Sequence, residues 1–241
     1  MNRWLWVFLA FVLTCVSCSS VRNDVKNVDE VAVLAPPAGA SVADAADPEK
    51  ILERHSIKFK IPNPLADQGM TSIRRVDPSH ESQIFCKATL LDSLSTEADI
   101  ASICARDSLD EKARAEFRKK YLAEHVKPGQ FRVRISMESG FSPRSLDHSH
   151  WVMYLENARG IAVEPTQIVS SIAQSHSDSI YSSFHRMSLP RTLTRGDITL
   201  YFNRMTFFRE DLLGPANAFI VLEMVQDKRT VARIAWKRAR N

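Results

Sequence analysis

Histidine and aspartate occur together in one short stretch, and both are side chains that can bind a metal or assist hydrolysis. His148 and His150 follow Asp147 and would project to the same side of an extended segment. A metal site needs three or four ligands, so the fold would have to bring in His176 or His185. Two close histidines without a second motif are also ordinary loop residues, and we predict no metal site here.

A second stretch contains the residue types of a serine hydrolase. The segment Ser170–Ser183 is dense in serine and includes His176 and Asp178. No G-x-S-x-G nucleophile motif accompanies it, and a polar loop explains the composition more simply. The sequence also lacks a Walker loop and an H-E-x-x-H motif, and it holds only 7 glycines. We therefore predict no catalytic residues and no cofactor.

Aromatic residues offer a different function, because exposed rings can stack on sugars. The candidates are Trp151, Tyr154, Tyr201 and the pair Phe207-Phe208. The alternation of apolar residues favours core positions for Trp151 and for Trp236, whereas Tyr201 is the better candidate for exposure. Charged residues follow the phenylalanine pair, which we interpret as a loop tip.

The N-terminus has the pattern of a secretory signal. Arg3 precedes an apolar run from Trp4 to Val16, and small residues follow it. The run is shorter than the ~20 apolar residues that a membrane-spanning helix needs. We therefore expect a cleaved signal and not a permanent anchor helix.

The end of this run resembles the lipobox of bacterial lipoproteins, in which small residues precede a cysteine that receives diacylglycerol. Ser17 precedes Cys18, and Ser19-Ser20 follows it, although Cys15 occupies the place where the pattern usually has leucine. The resemblance implies that Cys18 is lipidated and becomes the first mature residue, with Cys15 as the competing site. In Gram-negative bacteria Ser19 would imply an outer-membrane address. Two or more acyl chains would make the anchor stable.

Two further cysteines, Cys86 and Cys104, would remain in the mature chain. An oxidising compartment permits a disulfide between them, and we consider it possible. Cys86 shares a face with Ile84 and Ala88, which is also the position of a small buried hydrophobe. The pattern alone cannot bring the two thiols together.

The rest of the chain divides into a tether and one domain. Residues 19–50 are rich in Ala, Val, Asp and Pro without a sustained period, and we interpret them as a flexible, mildly acidic tether. Residues 51–241 contain seven or more short alternating runs separated by turns such as Gly196-Asp197 and Gly214-Pro215. This pattern predicts a mainly β fold, an antiparallel sandwich of immunoglobulin-like size.

One helical insertion interrupts the strands at about residues 95–126. Ser108 and Glu111 have the spacing of a capping box, and Ala113, Phe117 and Tyr121 repeat every fourth residue. A shorter helix over 96–106 precedes it. Strands over 84–90 and 131–137 flank the insertion.

The sequence thus favours an envelope lipoprotein whose β domain is a non-enzymatic binding or structural module. The net charge of +4 is too small to argue for nucleic acid. The membrane is the expected partner through the N-terminal lipid, and an envelope protein or a glycan is possible. Two alternatives remain open: a carbohydrate- or peptidoglycan-binding domain that uses the aromatics, and an envelope hydrolase or metalloenzyme that uses Asp147, His148 and His150.

Overall fold

The computed structural model describes residues 30–34, 47–65, 83–140, 143–182 and 187–238. The predicted signal, Cys18 and the chain up to residue 29 lie outside these ranges. The side chains of 174–193, including His176 and Asp178, lie outside the description too, as does His185.

The described residues form two five-stranded sheets, and the predicted mainly β sandwich is confirmed. In space the first sheet has the order β1-β10-β9-β5-β6, and the second has the order β2-β3-β4-β8-β7. The strands are β1 (Glu30–Leu34), β2 (Ser56–Pro62), β3 (Gln83–Leu91), β4 (Gln130–Ser139), β5 (Val152–Asn157), β6 (Ala162–Val163), β7 (Gln167–Ser182), β8 (Met187–Asn203), β9 (Phe219–Gln226) and β10 (Arg229–Arg238).

The core lies between the sheets, because alternate residues of each strand point to one face. Buried residues from both sheets form one cluster. Trp236 is fully buried and Trp151 nearly so, which confirms the prediction that both belong to the core. Removal of these apolar side chains from water is the main force that holds one sheet on the other.

Three α-helices complete the described fold: α1 (Pro48–Arg54), α2 (Ser93–Arg106) and α3 (Glu111–His125). The last two lie between β3 and β4, where the helical insertion was predicted. The predicted cap at Ser108 was wrong. Asp110 caps α3 instead, accepting a hydrogen bond from the Ala113 backbone N–H at 2.8 Å, while Ser108 adopts φ 52° in the turn.

A partly buried ion pair holds the helical insertion on the second sheet. Asp99 of α2 is buried and accepts two hydrogen bonds from the Arg134 guanidinium of β4, at 2.8 and 2.9 Å. Tyr121 of α3 donates a third at 2.6 Å. Arg134 alternates with the core residue Ile135, so α2 and α3 cover the outer face of this sheet.

His55 joins several elements at the edge of the sandwich. Its carbonyl oxygen accepts hydrogen bonds from the Trp236 indole N–H at 2.9 Å and the Leu90 backbone N–H at 3.0 Å. Its Nδ1 donates to the Ile51 carbonyl oxygen at 2.8 Å, and its Nε2 lies 3.8 Å from Asp92, which caps α2. One buried residue thus connects both sheets with α1 and α2.

The predicted tether over 19–50 was wrong in two places. Glu30–Leu34 forms β1, which pairs in parallel with β10, and α1 begins at Pro48 behind its cap Asp47. We did not predict β1, because five residues are too few to show an alternation of apolar and polar side chains among the surrounding alanines and prolines. The folded domain therefore begins earlier than Ile51.

Cys86 and Cys104 are both buried and free, so the possible disulfide is not formed. Cys86 belongs to the cluster between the sheets, whereas Cys104 lies on α2, which covers the outer face. The second sheet therefore separates the two thiols. Burial raises the pKa of Cys86, which keeps this thiol protonated.

Gly196 and Asp197 were predicted to form a turn, but they lie within β8. Gly196 pairs with Met137 on one side and Ile172 on the other. A Cβ at this position would lie 3.3 Å from the Leu146 side chain. The glycine therefore permits close approach of a side chain to the strand and does not end the strand.

Replacing Asp99 with alanine should destabilise the domain by about 3 kcal/mol or more, because it leaves the Arg134 guanidinium partly buried without its counter-ion. Urea unfolding measures the change. Glu97→Ala is the matched control, since Glu97 lies on the same helix and also receives two hydrogen bonds from an arginine, Arg118, but in solvent. Little change is expected for that variant. Equal losses in the two variants would contradict the role assigned to the buried pair.

Asp92 should make the domain sensitive to acid. Burial opposes its ionisation, but the neighbouring His55 side chain and the hydrogen bond from the Ser95 backbone N–H outweigh burial and lower the pKa to about 2. The stabilisation is present above pH 3.8 and is lost as the pH falls through about 2. The loss amounts to about 2 kcal/mol. Asp92→Asn keeps the capping oxygen, so its unfolding free energy should fall less between pH 5 and pH 2; parallel pH profiles would contradict this.

Candidate functional site

The Asp147–His150 segment does not assemble a catalytic or metal-binding set from its own residues. His148 Nδ1 lies 3.3 Å from the Ser170 hydroxyl and 3.6 Å from an Asp147 carboxylate oxygen. A Ser-His-Asp relay needs the serine and the aspartate on opposite ring nitrogens, whereas both partners here face the same one. His150 Nε2 donates to the Arg144 carbonyl oxygen at 2.9 Å.

The polar groups of this segment serve local structure instead. Asp147 accepts a hydrogen bond from the Ser149 backbone N–H at 3.0 Å, and this bond is the main cause that lowers the pKa of the carboxyl. His150 packs edge-on against Trp151. Within the described residues no group of three or more potential metal ligands comes together.

The aromatic residues do not form a common platform. Trp151 is buried and donates to the Gln226 side chain at 3.3 Å. Tyr201, predicted to be exposed, is buried instead, with Lys127 5.4 Å from its ring. The alternation of apolar residues correctly predicted that Tyr201 lies on the outer face of its sheet. It could not predict that Lys127, from the loop after α3, lies over the tyrosine ring. Tyr154 lies on the other sheet, where burial and a hydrogen bond with Glu223 raise its pKa to about 12.

Phe207 and Phe208 are the exception, because they are 95% and 67% exposed. Their rings meet edge to face with centroids 5.6 Å apart. They lie at the tip of the loop between β8 and β9, as predicted. Met205, beside them, is half exposed. We call residues 205–209 the aromatic tip.

A tight hairpin turn builds the aromatic tip. The Arg209 backbone N–H donates to the Thr206 carbonyl at 3.0 Å, and the Thr206 N–H donates to the Glu210 carbonyl at 2.9 Å. Arg209 adopts φ 59°, the left-handed conformation that ends three-residue hairpin loops. The two phenylalanines therefore occupy the central positions of the turn, where a side chain meets water and not the protein.

Charged residues hold the base of the aromatic tip. Arg204 donates two hydrogen bonds to Asp211 at 2.9 and 2.8 Å, and this carboxylate raises the pKa of the guanidinium. Asp211 also accepts from the Leu213 backbone N–H at 3.0 Å. Gly214 lies so close that a Cβ there would be 2.8 Å from Asp211 Cβ.

Two more connections tie the base to the sandwich. Glu210 accepts hydrogen bonds from Arg159 and from Asn157, which is buried at the end of β5. Leu212 is buried in the core between the sheets, and its N–H donates to the Arg204 carbonyl at 2.8 Å. The tip is thus a built element that projects two apolar rings into water from a fixed base.

A second open surface lies on the outer face of the second sheet, beyond the part that α2 and α3 cover. An open groove of about 1030 Å³ is lined there by residues that include Lys58, Lys60 and Lys87. Lys58 stands directly opposite Lys87, and Lys60 lies over the Phe85 ring at 5.0 Å. None of the three lysines forms an ion pair with a described residue. Lysines near a sheet edge also prevent unwanted strand pairing.

No protein-family model, curated protein or solved structure matches this chain. In the part of the chain that the structure describes, no helix has the length and apolar character needed to span a membrane.

Replacing Asp211 with alanine should loosen the aromatic tip, because it removes the Arg204 pair and the acceptor for the Leu213 N–H. We expect amide exchange of Leu212, whose N–H bonds to Arg204, to accelerate by about tenfold or more. Hydrogen exchange resolved by residue measures this. Glu138→Ala, which breaks the exposed pair with Arg195 on the groove, is the control and should leave Leu212 unchanged. An unchanged rate in Asp211→Ala would show that the pair does not hold the loop.

Proposed function

We propose that this protein is a lipid-anchored, non-enzymatic module of the bacterial cell envelope that acts by contact of its aromatic tip with another surface. The observation that carries the proposal is the exposure of Phe207 and Phe208 on a fixed base. Covering two neighbouring, water-exposed apolar side chains with a partner surface is favourable, because it removes apolar area from water. Exposed aromatic residues of this kind are typical anchors of binding sites.

The anchor in this proposal is the lipid on Cys18. Its support is the resemblance of residues 1–20 to a lipoprotein signal: a basic start, a short apolar run, and a cysteine between small residues. In a Gram-negative organism, Ser19 after the lipidated cysteine would send the protein to the periplasmic face of the outer membrane.

The two alternative functions have less support from the described residues. A glycan platform needs several aromatic rings on one face, but Trp151 and Tyr201 are buried and Tyr154 lies on the opposite sheet. A hydrolase or metalloenzyme needs further catalytic or metal-binding side chains close to His148 and His150. Among the described side chains, neither imidazole ring has the neighbours that such a site requires.

Chemical labelling of isolated envelope fragments tests the proposal. We expect Met205→Cys, at the edge of the aromatic tip, to react several-fold more slowly with a charged maleimide in the envelope than after detergent extraction. Cys86 and Cys104 are buried, so the introduced thiol gives the signal. Val152→Cys is the matched control, because Val152 is 60% exposed and Met205 49%, and Val152 lies at the opposite end of the sandwich.

The control thiol should react equally in both preparations. Equal reactivity of the two thiols in the envelope would contradict contact at the tip. Combining Met205→Cys with Cys15→Ser and Cys18→Ser should move the chain to the soluble fraction and expose the thiol without detergent. A chain that remains in the membrane fraction would contradict the lipid anchor.

A further inference from the structure

The aromatic tip has the chemistry of an element that enters the interface of a lipid bilayer, and we propose that the surface it contacts is the bilayer to which the chain is anchored. The inference rests on the proposed function, which supplies the anchor. It adds a second attachment point, so that the domain is oriented on the membrane and not merely tethered to it.

The shape of the tip suits a bilayer. Phe207 and Phe208 project from the apex of a turn, so they can enter the headgroup region while the sandwich stays in water. The Thr206 and Arg209 backbone N–H groups already have partners within the loop, which lowers the cost of leaving water. Interfacial elements combine such apolar side chains with neighbouring cations.

The charges around the tip agree with an anionic lipid surface. Arg209, next to the phenylalanines, is exposed and forms no ion pair with a described residue. Glu210 and Asp211, the acidic residues of the loop, are neutralised by Arg159 and Arg204. Anionic headgroups attract basic residues held near the surface. The aromatic tip can therefore approach a negative membrane without repulsion from its own carboxylates.

The anchor and the tip can reach the same bilayer. β1 runs parallel to β10, and Lys237 at the end of β10 pairs with Phe219, the first residue of β9. The loop that carries the tip leads into β9, so the tip lies at the end of the sandwich toward which β1 runs. Glu30 is only four residues from Leu34, or roughly 13 Å along the strand. The stretch from Ser19 to Glu30 can extend to about 40 Å, which is long enough to fold back to that end.

Anchoring makes a weak interaction at the tip sufficient. A tethered group experiences an effective concentration on the order of millimolar near its partner surface. Two phenylalanines that bound free vesicles only weakly would therefore spend most of their time in the bilayer once the chain is attached. Without the lipid this effective concentration is lost, so the tip alone would not keep the chain on the membrane.

Fluorescence quenching by brominated lipids tests the inference. The lipidated full chain carrying Phe207→Trp is reconstituted into vesicles of phosphatidylethanolamine and phosphatidylglycerol, with bromine on the upper acyl carbons. Position 207 is almost fully exposed, so tryptophan fits there without disturbing the fold. Trp151 and Trp236 are buried, and the unmutated chain gives their background. The added tryptophan should lose roughly half of its fluorescence, since interfacial side chains lie near these carbons.

Val152→Trp in the same vesicles is the control and should not be quenched. Replacing Phe208 with serine in the Phe207→Trp chain should weaken quenching by removing half of the apolar contact. Absence of quenching at position 207 would overturn the inference. If Met205→Cys remained protected in envelope fragments in that case, contact at the tip would survive and its partner would be a protein or a glycan. If protection were lost as well, the proposed function would fail.

Discussion

The hydrogen bond from the Trp236 indole to the His55 carbonyl oxygen marks the constraint on which this fold depends: the two sheets must stay face to face to bury their apolar sides. The same oxygen accepts the Leu90 N–H of β3, so one buried acceptor joins a strand from each sheet. A buried carbonyl without partners would cost free energy, and here the pairing of the sheets supplies both partners. Core packing then follows from the alternation along the strands.

This constraint decides where polar and functional groups can lie. With the inward faces filled by apolar residues, charged side chains remain on the outer faces and the ends. Asp99 and Arg134 use the outer face of the second sheet to hold two helices, and Arg204 and Asp211 use one end to hold a loop. These charged residues thus serve structure, whereas Phe207 and Phe208 have the two highest exposed fractions among the large apolar side chains of the described residues.

Much of the fold followed from local patterns, because an apolar side chain at every second position predicts a strand with one buried face. Most strands, the core position of Trp236 and the place of the helical insertion could be predicted in this way. The polar loop predicted at Ser170–Ser183 was wrong, because Gln167–Ser182 forms β7 and a serine-rich composition carries no apolar alternation to reveal a strand. The parallel pairing of β1 with β10 could not be predicted, since it joins residues about two hundred positions apart through a five-residue strand. The covering of Tyr201 by Lys127 and the separation of Cys86 from Cys104 also depend on long-range packing that periodicity does not encode.

The aromatic tip was recognised from sequence as an exposed pair, but its fixed base was not. Arg204 and Asp211 are seven residues apart, a spacing that has no meaning until the hairpin brings them together. Together the hairpin and this ion pair hold the loop, and with it the two rings, in a defined position. Backbone NMR relaxation of the amides from Thr206 to Glu210 tests this. We expect order parameters near 0.85, equal to those of β9, whereas values below about 0.6 would show a flexible loop and overturn the assignment.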